Sequence, residues 1–294
     1  MKNIVKLPNT VDIEINGVCN LNCAWCWGPA HISEIETVSN KQWKEIIQKL
    51  KSYGTKSIIF TGGETLLRKD LGELLADTKK QNMRVTLSTN GILLNLLKPI
   101  LQYVDDLGLP IDGHDHASNS IMRVSANPNM RHIDFVLNSI KYVQDNHPEV
   151  NLTVRTVVTA KNYKSVPKIG KTLIDKGINP LKLRWKLYQV SPEGPRHDTT
   201  VNGGWMISND LFTETEKAVR NANPEFKNIK FQQVEVSIRR YLLLDPSGKA
   251  FVLGPDNDGN PTQIPAGNVV GDFEGFIDEV SAHNYFPVDQ THGV

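Results

Sequence analysis

Cysteine is scarce in this 294-residue chain: there are 3, and none follows Cys26. A disulfide-stapled secreted fold spreads an even number of cysteines along its length, so the count speaks against that class. Long apolar runs are missing too. No stretch of ~18 apolar residues could span a bilayer, and the opening MKNIVKLPNT lacks the apolar segment of an export signal. A cytoplasmic protein with no membrane contact is expected. Excess charge is also absent, with 33 Lys and Arg against 32 Asp and Glu and a net charge of +1. That balance offers no basic footprint for nucleic acid. What remains is ordinary for a globular chain with a substantial core: 39% hydrophobic and 22% charged residues. Two domains would fit this length, but α/β barrels use it as one.

Hydrophobic periodicity alternates between strand and helix types. Strands are expected at Val11–Ile15, Ser57–Phe60, Arg84–Ser88, Asp106–Ile111, Leu152–Val158 and Leu181–Val190. Helices are expected from Ser39-Asn40 to about Tyr53, then at Leu71–Gln81, Ile92–Leu101, Ile133–Val143 and Val166–Lys176. A polar loop precedes the helix at Ile133. Alternating units of this kind build a parallel sheet with right-handed connections. The expected fold is therefore α/β, a partial (β/α)6 TIM-like barrel over residues 1–190. Residues 191–294 read as a C-terminal extension packed on the open side of the barrel, not as an independent domain. It should hold a loop at Ser191–Gly204, a helix capped by Ser208-Asn209, a hairpin around Pro246-Ser247-Gly248 and a last helix at Gly271–Ala282.

The 3 cysteines lie within eight residues, as C-N-L-N-C-A-W-C from Cys19 through Cys23 to Cys26. Three thiols this close, in a loop after a strand, point to a metal or a cluster. Zinc would need a fourth ligand, for which His31 is the nearest choice. Three thiolates on a [4Fe–4S] cluster leave one iron open for chemistry, whereas an electron-carrying cluster is usually closed by four. Trp27-Gly28-Pro29-Ala30-His31 follows as a rigid turn. Two more polar strand ends stand out, Gly62-Gly63-Glu64 and Ser88-Thr89-Asn90-Gly91.

Cys19-x3-Cys23-x2-Cys26, with Trp25 before the last cysteine, resembles the signature of the radical S-adenosylmethionine (SAM) superfamily. The resemblance runs over roughly residues 10–190, with its motifs in order at strand C-termini, where barrels build active sites. It implies an enzyme in which a [4Fe–4S] cluster reductively cleaves SAM, giving a 5′-deoxyadenosyl radical that abstracts a hydrogen atom from substrate. An external donor of flavodoxin or ferredoxin type would supply the electron. By the same resemblance Gly62, Gly63 and Glu64 bind the methionyl ammonium, Ser88 and Asn90 lie near the polar groups of SAM, Arg123 meets its carboxylate, and Trp25 borders the adenine or shields the cluster. Leu109–Gly113 (LPIDG) matches the fourth-strand pattern S-x-D-G except that Pro110 replaces the serine. That puts Asp112 on the loop facing substrate, and Asp112, His114, Asp115 and His116 could also suggest a metal.

The absence of later cysteines fits a single cluster. Leu183–Gln189 (LRWKLYQ) resembles viperin-like enzymes, which dehydrate nucleoside triphosphates, and Arg184 and Lys186 match their phosphate-binding pair. Side chains at i and i+2 on a strand share a face, so the two could clamp a phosphate or carboxylate at the barrel mouth. Ile13, Thr153 and Arg155 depart from that family's pattern. Tyr188 or Tyr241 could serve as a hydrogen donor. The expected substrate is a small anion, such as a nucleotide or sugar phosphate, undergoing elimination, rearrangement or reduction. The alternatives are a maturase of ribosomally made peptides and a non-catalytic iron–sulfur or zinc protein.

Overall fold

The computed structural model describes residues 6–28, 38–192, 196–234, 241–255, 261–283 and 285–286. Its first part runs β1 (Thr10–Glu14), α1 (Asn40–Ser52), β2 (Ser57–Thr61), α2 (Leu71–Lys80), β3 (Arg84–Ser88), α3 (Leu94–Leu97), β4 (Asp106–Pro110), α4 (His116–Met122), α5 (His132–Asn146), β5 (Asn151–Val158), α6 (Ile169–Asp175) and β6 (Leu183–Gln189). It continues with α7 (His197–Asn202), α8 (Asn209–Ala222), β7 (Ile229–Gln232), β8 (Leu242–Leu244), β9 (Lys249–Pro255), β10 (Pro261–Asn268) and α9 (Phe273–Ala282).

All six expected strand–helix units form. Local chemistry explains their limits. Ser39 accepts from the Gln42 amide while Gln42 reaches back to the Ser39 amide, so α1 begins on a complete capping box. Its apolar stripe, Trp43, Ile46, Ile47 and Leu50, is buried against the sheet. The helices expected at Ile92 and Val166 each break into a 3₁₀ turn and a short α-helix, and each 3₁₀ turn carries a proline at its start, where no N–H is needed.

Three expectations are corrected. The polar stretch before α5 contains α4, because Asp115 caps it in a box with Ser118. The loop expected at Ser191–Gly204 contains α7. The C-terminal extension supplies strands beyond the hairpin: β7 and β10 form in stretches where no element is expected. The hairpin itself is present as the antiparallel pair β8–β9.

One ten-stranded sheet results, in the order β10-β9-β8-β1-β2-β3-β4-β5-β6-β7. Neighbours from β8 through β1 to β7 are parallel, and β9 and β10 run antiparallel at the end. The extension thus adds β7 beside β6 and β8 beside β1, widening both edges. Although β1 and β6 stand five places apart, Asp12 on β1 lies within the field of Arg155 on β5 and Lys186 on β6. Gln232 Nε2 on β7 donates to the hydroxyl of Tyr241, just before β8, at 3.0 Å. Only a curled sheet brings these residues together, so the strands form a partial barrel. Alternation then splits each strand. On β6, Leu183, Trp185 and Leu187 are buried against the helices, while Arg184, Lys186 and Tyr188 are half-buried and face the lumen.

Trp185 fixes the outer layer. It is 0% exposed, meets Phe226 edge-on with ring centroids 5.4 Å apart, and donates to Thr156 Oγ1 at 3.0 Å. Trp185→Ala is expected to cost about 3–5 kcal/mol through the cavity left behind, read as a lowered urea unfolding midpoint.

Candidate active site

The site is built at the C-terminal ends of β1, β2 and β3, where three loops are sewn together by one buried carboxylate. Glu64, 0% exposed, accepts from the Leu66 amide at 3.0 Å and the Thr89 hydroxyl at 2.5 Å on one oxygen, and from the Asn90 amide at 2.7 Å on the other. Its own carbonyl accepts from Asn16 Nδ2 at 3.0 Å. Asn90 Nδ2 in turn donates to Asn20 Oδ1, inside the cysteine motif, at 2.6 Å. Burial pushes the Glu64 carboxyl up, and the four hydrogen bonds from Thr89, Asn90, Leu66 and Thr65 pull it back.

The glycines before Glu64 are required by the cysteine loop. The Gly63 amide donates to Asn16 O at 2.9 Å and the Glu64 amide to Val18 O at 2.7 Å. Gly62 has φ +137, and a Cβ there would stand 2.6 Å from Asn16 O; one on Gly63 would collide with the Val18 carbonyl. No side chain fits between these backbones. Arg68 secures the root of the loop through Nη1 to Ile15 O at 2.8 Å.

Cys23 is buried and Cys19 and Cys26 are partly buried. Burial pushes the Cys19 thiol up to about 11 and the Cys26 thiol up to about 12, so either thiolate needs a bound cation to form at neutral pH. Among the described residues no three His, Cys, Asp or Glu side chains converge on one ion. Three soft donors on one loop, too spread for a single metal, suit an iron–sulfur cluster with an open iron. His31, the fourth ligand in the zinc reading, lies outside the described residues.

Arg123 Nε donates to Asp112 Oδ2 at 2.5 Å, its guanidinium lies 4.8 Å from the Trp25 ring centroid, and Nη1 stands 4.0 Å from Cys23 Sγ. Trp25 is anchored by Nε1 to Met122 O at 3.1 Å. Asp112 differs from expectation. It is 0% exposed, and its second oxygen accepts from the Val157 amide at 2.7 Å, so it holds Arg123 and β5 and has no open face for substrate. His114 and Asp115 do not form a metal site. His114 Nδ1 meets Ser165 Oγ at 2.8 Å, and Asp115 caps α4.

Below this level the lumen is lined by charge. Arg184 and Lys186 lie inside the barrel and not at its mouth, joined by Arg155, which sequence reasoning left out of the site. Arg155 Nη1 donates to Ser88 Oγ, so Ser88, expected beside SAM, turns to this cation. Gly108 on β4 makes room, since a Cβ there would sit 2.6 Å from the Arg155 guanidinium carbon. Asp12 faces the same space, and Glu14, further along the same face of β1, lies against the cysteine loop, where a Cβ on Gly28 would stand 3.3 Å from its Oε1. They too were missed, although the alternation Val11-Asp12-Ile13-Glu14-Ile15 puts both carboxylates on one face. Burial raises Asp12 to about 6 despite Arg155 and Lys186, and raises Glu14 well above the usual range. Burial lowers Lys186 to about 8, and Arg155, Arg184 and Lys230 add to that. Asp12 Oδ1, Arg155 Nε and Arg184 Nε are buried without a hydrogen-bond partner among the described residues.

The model of the Radical SAM superfamily matches residues 13–172, more than half of the chain. The chain belongs to the radical SAM superfamily. As a radical SAM enzyme it uses a [4Fe–4S] cluster and SAM as cofactors. Fe-coproporphyrin III synthase of Methanosarcina barkeri (strain Fusaro / DSM 804) is 31% identical over 206 residues, covering 68% of this chain and 46% of that protein. An S-adenosylmethionine-dependent nucleotide dehydratase of Lacinutrix mariniflava is 26% identical over 264 residues, covering 84% of this chain and 51% of that protein. The chain spans about half the length of these two relatives. The solved structure of native anSMEcpe with bound AdoMet and Cp18Cys peptide superposes with TM-score 0.69 at 14% identity, covering 95% of this chain and 82% of that one. That likeness is one of fold. No helix among the described residues is long and apolar enough to cross a membrane.

Two outcomes are expected. Cys19→Ala, Cys23→Ala or Cys26→Ala removes bound iron and sulfide after anaerobic reconstitution while circular dichroism stays unchanged, and Gly63→Ala lowers iron retention by displacing the cysteine loop. Glu64→Gln replaces one acceptor oxygen with an amide NH2, a donor facing the protein's own N–H and O–H donors. It should cost about 1–3 kcal/mol of stability and weaken SAM binding together, measured by urea unfolding and calorimetry.

Proposed function

We propose that this radical SAM enzyme abstracts a hydrogen atom from a small anionic metabolite, a nucleotide or sugar phosphate, held in the barrel lumen, leading to elimination, rearrangement or reduction. Cys19, Cys23 and Cys26 hold the cluster. Gly62, Gly63, Asn90 and Trp25 form the SAM pocket, held in place by the buried Glu64 carboxylate, with Arg123 at its edge. SAM bound at the reduced cluster supplies a 5′-deoxyadenosyl radical. The chain's own residues do the rest: they hold the substrate's anion, orient the reacting C–H bond toward the cluster end, and keep the lumen walls away from the radical.

The observation that carries this reading is the cluster of Arg155, Arg184 and Lys186 in a half-buried space. Cations desolvated side by side are unfavourable unless an anion completes them. Among the described residues two guanidinium N–H groups have no partner there, and burial first, then the positive neighbours, disfavour the charge on Lys186. A phosphate would satisfy all three, and fixing it far from the reacting carbon positions that carbon. The likeness to a nucleotide dehydratase adds to this. Tyr188 and Tyr241 stand in the same space, close enough to Asp12 and Arg155 to feel their charges, and are the candidates for returning a hydrogen atom or proton.

The test is anaerobic turnover with nucleotides and sugar phosphates, read as substrate-dependent 5′-deoxyadenosine. Arg184→Ala and Lys186→Ala should keep substrate-independent SAM cleavage and lose turnover at least about tenfold, the worth of one charge-assisted hydrogen bond. Normal turnover in both variants would overturn the anion site, and a peptide substrate would take its place. Affinity should also depend on pH. Lys186 is charged below about pH 8 and an anion favours that form, so affinity is full below pH 8 and weakens as the pH rises through it. In Lys186→Arg this decline should vanish.

A further inference from the structure

Arg123 is held from three sides, more tightly than reaching a substrate or SAM would require. The Asp112–Arg123 pair is almost wholly enclosed, with side chains 0% and 15% exposed. Asp112 cannot swing away, because the Val157 amide takes its other oxygen, its own amide donates to Asn119 Oδ1 at 3.0 Å, and its carbonyl accepts from Asn162 Nδ2 at 2.9 Å. Asn119 is fixed in turn by His132 at 3.0 Å. Burial opposes the charge on Arg123, yet Asp112 and the sulfur of Cys23 outweigh it and raise its pKa. The end of this chain of contacts is Nη1, 4.0 Å from Cys23 Sγ. The Trp25 ring, buried and pinned to Met122 O, closes the remaining side.

We propose that Asp112 pins Arg123 against Cys23 so that its guanidinium raises the reduction potential of the cluster, a role that rests on Cys23 being a cluster ligand. Reduction adds one negative charge to the cluster. A fixed cation beside a ligand sulfur, donating toward it, stabilises that charge, and hydrogen bonds to sulfur and local charge are established determinants of such potentials. The electron comes from the external one-electron donor. No bond of Arg123 forms or breaks and no proton moves. Arg123 is here a positioning residue whose effect exists before SAM arrives.

The experiment is a redox titration of the anaerobically reconstituted chain without SAM, poised with dithionite and mediators and followed by electron paramagnetic resonance. Iron analysis checks that each variant carries a complete cluster, and SAM affinity is measured separately. Arg123→Met and Arg123→Gln should both shift the potential to more negative values, and Arg123→Lys, which restores the charge without the planar fork, should recover part of the shift. A merely structural role would not give that charge-ordered series. An unchanged potential in Arg123→Met and Arg123→Gln, with SAM binding lost, would make Arg123 a SAM ligand alone and overturn the proposal. Should one neutral variant fail to hold its cluster, the other and Arg123→Lys still decide the order. A parent chain that reconstitutes no reducible cluster, or a Cys23→Ala variant that keeps an unaltered one, would overturn the ligand reading itself.

Discussion

The Glu64 carboxylate is the interaction on which the site depends. Buried acids are costly unless hydrogen bonds satisfy them, and this one is satisfied, among the described residues, by donors from its own turn and from the loop after β3. Those donors have no other reason to converge. The same residue's amide and carbonyl bind Val18 and Asn16, so the cysteine loop, the glycine turn and the Thr89-Asn90 turn move as one body. Preorganisation of this kind lets a loop of half-buried thiols receive a cluster without first paying to order itself.

Two electrostatic regimes share the barrel. Near the cysteine loop two cations have dedicated partners: Arg123 with Asp112, Arg68 with Asp70. Deeper in the lumen the charges face each other loosely, with Asp12 on one wall and Arg155, Arg184 and Lys186 on the other. Paired charges hold geometry. Unpaired ones leave capacity for a ligand, and the contrast separates the part of the cavity that positions a cofactor from the part that meets substrate.

The strand–helix alternation was legible because each unit carried its own period and cap. Ser39 and Ser208 start helices where their side chains accept from the first-turn amides. What escaped reading was short or disguised. Ile229–Gln232 is too brief for an alternation to register, and β10 contains Pro261, Pro265 and Gly267, residues tolerated there because the strand lies at the sheet edge. The cysteines and glycine turn could be found as motifs, since their spacing is local. Arg155 could not, because its importance comes from Ser88, Gly108 and Asp12, which reach it only after the sheet has curled. Asp112 was found but given the wrong neighbour: nothing in LPIDG tells that its partner is Arg123.

The pairing of β8 with β1 has a consequence for how the chain acquires its shape. Asp12 and Leu243 are register partners, so the strand that leads into the cysteine loop waits for a segment made some 230 residues later. Until then β1 presents one bare edge, and such edges recruit other strands. Contacts between residues so far apart also slow folding, because the loop between them must close first. During synthesis the emerging barrel therefore carries an adhesive flank beside unprotected thiols, and the final strands act as its cover.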